Sequence, residues 1–176
     1  TESMQLTLSV YMVGFALAQT FFGPISDRFG RKPTILIGTS VYLIASVACA
    51  LATSVEQLII FRLFQSIGAA AAPVVARAVV RDMFTREEAA KTYAVVTTVP
   101  SIAPVVAPVL VGVIVVWLGW RANFWVLTGF GTTAMLLVIF LLPETNRVPD
   151  PSATRFSRML INFATMLRNR AYLGYL

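Results

Sequence analysis

The residues with chemistry to offer are few and grouped. Asp27, Arg28, Arg31 and Lys32 fall within six positions of GPISDRFGRKPT, the stretch from Gly23 to Thr34. No other charge occurs between Ser3 and Ser26 or between Pro33 and Val55. A second group is Arg62 with Gln65 one turn on, inside an otherwise apolar run. A third is Pro100, Pro104 and Pro108, whose four-residue spacing places them on one helical face. None of this suits bond-breaking chemistry. There is no histidine, so imidazole catalysis and His metal sites are excluded. There is also no phosphate-binding glycine loop and no metal-ligand cluster. The pattern argues against an enzyme and for charges placed at the ends, and once inside, of apolar segments.

The elements that must carry these groups follow from composition. The chain is 57% hydrophobic and 12% charged, against about 25% charged in soluble domains, and its mean hydropathy is +0.78. Each uncharged run beside the first knot exceeds the roughly 20 residues needed to cross about 30 Å of hydrocarbon as a helix. The same ruler predicts five spans, at 5–26, 34–53, 57–80, 92–117 and 123–142, with GPISDRFGRKPT as the loop between the first two. The fold class is therefore all-α, a polytopic bundle in a lipid bilayer. Eleven basic residues lie in the Gly30 loop, the loop after the third span and the segment after the fifth, against Arg121 alone on the other side. The positive-inside rule then puts residue 1 outside and residues 143–170 in the cytoplasm. This topology accounts for the net charge of +6 and leaves no need for nucleic acid. Cys49 is the single cysteine and excludes an internal disulfide. The N-terminus lacks the marks of a signal peptide.

An internal echo runs through the chain. GPISDRFGRKP and GVIVVWLGWRA share Gly23 with Gly112, Gly30 with Gly119 and Lys32 with Arg121, at an offset of 89. The copies face opposite sides of the membrane, as inverted repeats of transporters do. On this offset the partner of the third span lies upstream of Thr1, a further helix that completes a three-plus-three unit. Downstream, Phe156, Met159, Leu160, Phe163 and Leu167 form an i, i+3, i+4, i+7 stripe. Residues 143–170 read as a cytoplasmic linker with an amphipathic interfacial helix, and 171–176 as the start of another span.

GPISDRFGRKPTI resembles the loop signature of the major facilitator superfamily. RLFQSIGAAAA is similar to its fourth-helix motif, with Ser66 in place of a glycine, and APVVAPVLVG to the antiporter motif of its fifth helix. There Pro108 and Gly112 match, while Ala103, Ala107 and Val111 replace glycines. The Ala-Pro-x-x-Ala-Pro form, with VARAVVRDMF, GWRANFW and LLPETN, most resembles the bicyclomycin and multidrug-resistance branch of proton-coupled exporters. The resemblance implies helices 2 to 6 of twelve, an incomplete N-terminal six-helix half. It implies efflux of a small drug-like molecule by alternating access, with protons and the proton gradient as the energy source and no cofactor. The expected surroundings are the lipid bilayer of a bacterial inner membrane and the remaining helices of the same transporter. A solute importer, or a non-transporting sensor or assembly protein on the same scaffold, remains as an alternative.

Residue roles follow from the resemblance and from the chemistry of each side chain. Gly23 allows close helix approach and Gly30 a tight reversal. Asp27, Arg28, Arg31 and Lys32 form a conformational latch, with Asp82 as the acid that pairs with Arg31. Arg62 lies about 9 Å beyond Glu56 at 1.5 Å per residue; it faces a cavity with Gln65, and Arg77 snorkels to the near surface. Tyr11 and Gln19 are further cavity candidates. Pro100, Pro104 and Pro108 bend their helix, which packs closely through Ala103, Ala107 and Gly112. No acid lies within any span, so the proton-coupling carboxylate is expected elsewhere in the complete transporter.

Overall fold

A computed structural model describes residues 2–146 and 150–154. The amphipathic helix and the further span expected over residues 155–176 lie outside the described residues. Five helices follow one another: α1 (Glu2–Phe29), α2 (Arg31–Leu51), α3 (Val55–Met83), α4 (Arg86–Leu118) and α5 (Trp120–Leu141). All five are long and apolar enough to cross a membrane.

Every helix extends past its expected bounds at one or both ends, and the charged knot is not a loop. α1 continues through Ser26, Asp27 and Arg28 to Phe29, and α2 begins at Arg31. Only Gly30 stands between them, at φ +100°. The expected bounds measured hydrocarbon thickness, whereas a helix ends where its hydrogen-bond ladder ends. Charged side chains at the interface do not interrupt that ladder. α5 begins earlier than expected, at Trp120, because Gly119 at φ +81° makes an equally abrupt reversal.

The starts of α3 and α4 are capped by side chains. The Ser54 hydroxyl accepts the Gln57 N–H at 3.2 Å, and Gln57 Oε1 accepts the Thr53 N–H at 3.1 Å. Glu88 accepts from the Thr85 N–H at 3.1 Å and from its hydroxyl at 2.8 Å. These reciprocal bonds satisfy donors that a helix start leaves open.

The core lies where α3 packs between α1 and α2. Small residues set the spacing. A Cβ on Gly68 would stand 2.6 Å from the Gly38 carbonyl oxygen, so α2 and α3 meet backbone to backbone. Ala70, Ala71, Val75, Cys49 and Ala50 fill the seam and are buried. Apolar contacts inside a bilayer gain no hydrophobic drive, so close packing of small residues carries the association. α5 lies on the other side of α2, with Gly131 against the Tyr42 ring and Leu43.

α4 departs from expectation. It runs unbroken from Arg86 to Leu118, and none of its described side chains is buried. Ala103, Pro104, Ala107, Pro108 and Gly112 are exposed, and no atom lies within 4 Å of a Cβ built on Gly112. The expected close packing through these residues is absent among the described residues. α3 and α5 touch α4 along a small part of its surface, which leaves this apolar face to lipid or to other helices.

Candidate functional site

Arg31 is the centre of the charged site. It opens α2, and its guanidinium reaches two other helices at once. Nε donates to Asp82 Oδ2 on α3 at 2.9 Å, and Nη1 donates to Asp27 Oδ1 on α1 at 2.6 Å. Nη1 also donates to the Ser26 hydroxyl at 2.7 Å. The Arg31 side chain is 5% exposed, against 20% for Asp82 and 43% for Asp27. A buried guanidinium shared by two carboxylates makes charge-assisted bonds, about twice as strong as neutral ones. Three helices are thereby pinned at one point.

Residues missed in the sequence hold the same point from the other side. After α5 the chain turns at Pro143 and crosses the α1–α2 junction. Glu144 accepts the Arg31 N–H at 2.9 Å on Oε1 and the Lys32 N–H at 3.1 Å on Oε2. Asn146 Nδ2 donates to the Asp27 carbonyl at 2.9 Å, and the Asp150 N–H donates to the same oxygen at 3.0 Å. Arg28 Nη1 donates to the Thr154 hydroxyl. Burial raises the Glu144 carboxyl, but N–H donors from Asn146, Arg31, Lys32 and Thr145 outweigh it and hold the pKa below its ordinary value. A carboxylate at a helix N-terminus is favoured by the open N–H groups and by the macrodipole. The signal was the acid directly after a helix-ending proline in LLPETN, but nothing local says which helix start it serves.

Three of the expected latch residues stand differently. Among the described residues Gly23 makes no close approach, since none of their atoms lies within 4 Å of a Cβ there. Lys32 joins neither ion pair, and its Nζ donates to the Ile139 carbonyl at 2.9 Å instead. Arg28 points to the linker, with its guanidinium 5.0 Å from the Phe29 ring.

A second cluster lies between α1, α2, α3 and α5. Arg62 Nη1 donates to Gln65 Oε1 at 3.0 Å, and Gln65 Nε2 donates to the Ser46 hydroxyl at 2.8 Å. Ser46 donates in turn to the Tyr42 carbonyl at 2.7 Å. Gln65 is fully buried. The Arg62 guanidinium sits 4.7 Å from the Tyr11 ring centre and 5.7 Å from that of Phe124. Among the described residues no carboxylate pairs with it. Arg62 thus points inward rather than to the surface, as do Gln65 and Tyr11, and Phe124 is an addition. Gln19 lies two turns along α1, outside this cluster. Further along α1 an open apolar groove of about 300 Å³ lies between α1 and α3, lined by Gly14, Leu17, Phe21, Phe22, Leu63 and Ile67 among others.

The profile of the Major Facilitator Superfamily matches residues 1–176. The chain belongs to this superfamily. It is 34% identical over 175 residues to the bicyclomycin resistance protein homolog of Haemophilus influenzae, which covers 99% of this chain and 44% of that protein. It is 36% identical over 148 residues to the multidrug resistance protein MdtL of Klebsiella pneumoniae, covering 84% of this chain and 38% of that one. The major facilitator chain described here therefore spans less than half the length of these curated relatives. In fold it is similar to the human organic anion transporter MFSD10, with a TM-score of 0.73, 21% identity, and coverage of 88% of this chain and 35% of that one. Family and spans together make it an integral membrane protein.

Proposed function

We propose that the chain is part of a proton-coupled exporter of drug-like molecules that works by alternating access. The observation that carries the reading is the Arg31 bridge from Asp27 on α1 to Asp82 on α3, in a chain whose relatives are named for drug resistance. Such a bridge draws three helix ends together at one membrane face. It favours the state in which those ends are packed, and the opposite state requires its opening. In this reading residue 1 faces outward, the Gly30 turn and residues 143–154 face the cytoplasm, and the membrane is the bacterial inner one. Arg62 supplies a positive charge beside the aromatic rings of a substrate path. The partners are protons, the transported molecule and the rest of the transporter.

The test is energised efflux of a fluorescent cation, and bicyclomycin tolerance, from a drug-sensitive bacterium expressing the complete reading frame. Efflux that a protonophore abolishes, and that Asp27→Asn removes without loss of membrane protein, is expected. Absence of both efflux and tolerance from a protein present in the membrane would overturn the exporter reading in favour of an importer or a sensor.

A further inference from the structure

Lys32 and Arg121 occupy matching places in the internal echo, at the first turns of α2 and α5. Each reaches across to the C-terminus of the other helix. Lys32 Nζ donates to the carbonyl of Ile139 in the last turn of α5 at 2.9 Å. Arg121 Nη2 donates to the carbonyl of Ala52, which ends α2, also at 2.9 Å. The last carbonyls of a helix have no partner within it, and a cation there also faces the negative end of the macrodipole. α2 and α5 are antiparallel, so each supplies what the other lacks. At the Gly30 end the exchange runs both ways, because Glu144 after α5 accepts the first N–H groups of α2.

Arg121 decides the matter. It is the one basic residue that the charge distribution places on the sparsely charged side, so topology does not explain it. The Ala52 carbonyl does, and the Trp120 ring, 4.4 Å from the guanidinium, steadies it. Between the two ends the helices interlock. A Cβ on Gly131 would stand 2.8 Å from the Tyr42 ring and 2.9 Å from Leu43.

We infer that α2 and α5 form a two-ended clamp, closed by Lys32 and Glu144 at one end and by Arg121 at the other, and move as one body. Sliding one helix along the other by a turn, about 5.4 Å, breaks both ends together, whereas tilting the pair as a unit breaks neither. The Arg31–Asp82 pair differs, because it ties α2 to α3 at one end only. The motion itself rests on the alternating-access reading; the clamp depends on neither substrate nor proton.

The test uses the complete protein in a cysteine-free background, Cys49→Ala included, in lipid nanodiscs. Spin labels go to Ile44 on α2 and Leu137 on α5, both exposed. Pulsed electron resonance should give one narrow distance in mildly acidic and in neutral buffer. Arg121→Met should shift or broaden it by roughly 1.5–5.4 Å, from one residue's rise to one turn, and Arg121→Lys should restore it. Should Arg121→Met fail to accumulate, Lys32→Met combined with Glu144→Gln weakens the other end and is expected to have the same effect. A distance that changes between buffers with the clamp intact, or that neither methionine variant alters, overturns the inference. A fixed distance in a protein without efflux overturns the exporter reading and leaves the clamp standing. A variable distance in an active exporter does the reverse.

Discussion

Gly30 and Gly119, equivalent in the internal echo, are the two described residues with positive φ, at +100° and +81°. Their ψ values are nearly equal as well, 161° and 166°. Each is the whole connection between two antiparallel helices, α1 to α2 and α4 to α5. The repeat seen in the sequence as spaced glycines is thus a repeat of one backbone reversal, used once at each face of the bundle. This corner of φ/ψ space is almost closed to residues with a Cβ.

The two turns should respond differently to alanine. Gly119→Ala is expected to cost about 1–3 kcal/mol, the penalty for a residue held in this region, because its Cβ meets no atom of the described residues within 4 Å. Gly30→Ala should cost more, since its Cβ would lie 2.6 Å from Glu144 Oε2 and must push the carboxylate off the start of α2. Thermal unfolding of the purified complete protein measures both. Equal losses would mean that Glu144 does not press on this turn.

Arg31 should not be replaceable by lysine. Its Nε and Nη1 serve Asp82 and Asp27 in different directions, and one ammonium cannot reproduce that fork. Charged hydrogen bonds are each worth about 1.5–3 kcal/mol, so Arg31→Lys should slow dye efflux by on the order of tenfold or more. Asp82→Asn added to Arg31→Lys should then do little further harm, as expected for residues of one network. Additive losses would show that the two residues act separately.

Glu144 makes a pH prediction. Its pKa is held below the ordinary 4.5 in the folded protein. A depressed carboxyl contributes stability that is full above the unfolded value and is lost as pH falls through the folded one. Melting temperature should therefore be insensitive to Glu144 titration at neutral pH and fall below about pH 4.5. Glu144→Gln should be less stable at neutral pH, and its acid decline should be shallower. Parallel acid declines for the two proteins would remove Glu144 from the cap.

The spans were legible because hydrocarbon thickness imposes a length, and 57% apolar composition leaves no other surface for them. The Arg31–Asp82 contact came from a resemblance, not from spacing, for the two residues are 51 apart. Glu144, Asn146 and Thr154 act on residues more than 110 positions away, and no periodicity reports such a contact. The helical knot was missed for a different reason. Charge marks the edge of the membrane, and in this chain helix and membrane end at different residues.

Arg62 gives the last prediction. A guanidinium inside a span, facing two rings and an amide but no carboxylate among the described residues, keeps its charge available. Tyr11→Phe retains the ring and should change little, while Tyr11→Leu should lose the cation–π contact, about 0.5–2 kcal/mol. Gln65→Leu breaks the chain to Ser46 and leaves Arg62 without its acceptor, a cost of about 1–3 kcal/mol. None of these separates structure from function, but Gln65→Glu does. It places a carboxylate where Gln65 Oε1 now sits, 3.0 Å from Arg62, and neutralises the cation with little change of shape, while the lost amide donation to Ser46 is replaced when the Ser46 hydroxyl turns from the Tyr42 carbonyl to donate to the carboxylate. If Arg62 only holds α3 in place, Gln65→Glu should melt no lower than the parent and still export. If its charge is used in transport, the variant should melt no lower yet lose protonophore-sensitive efflux, and the second outcome is the one expected here.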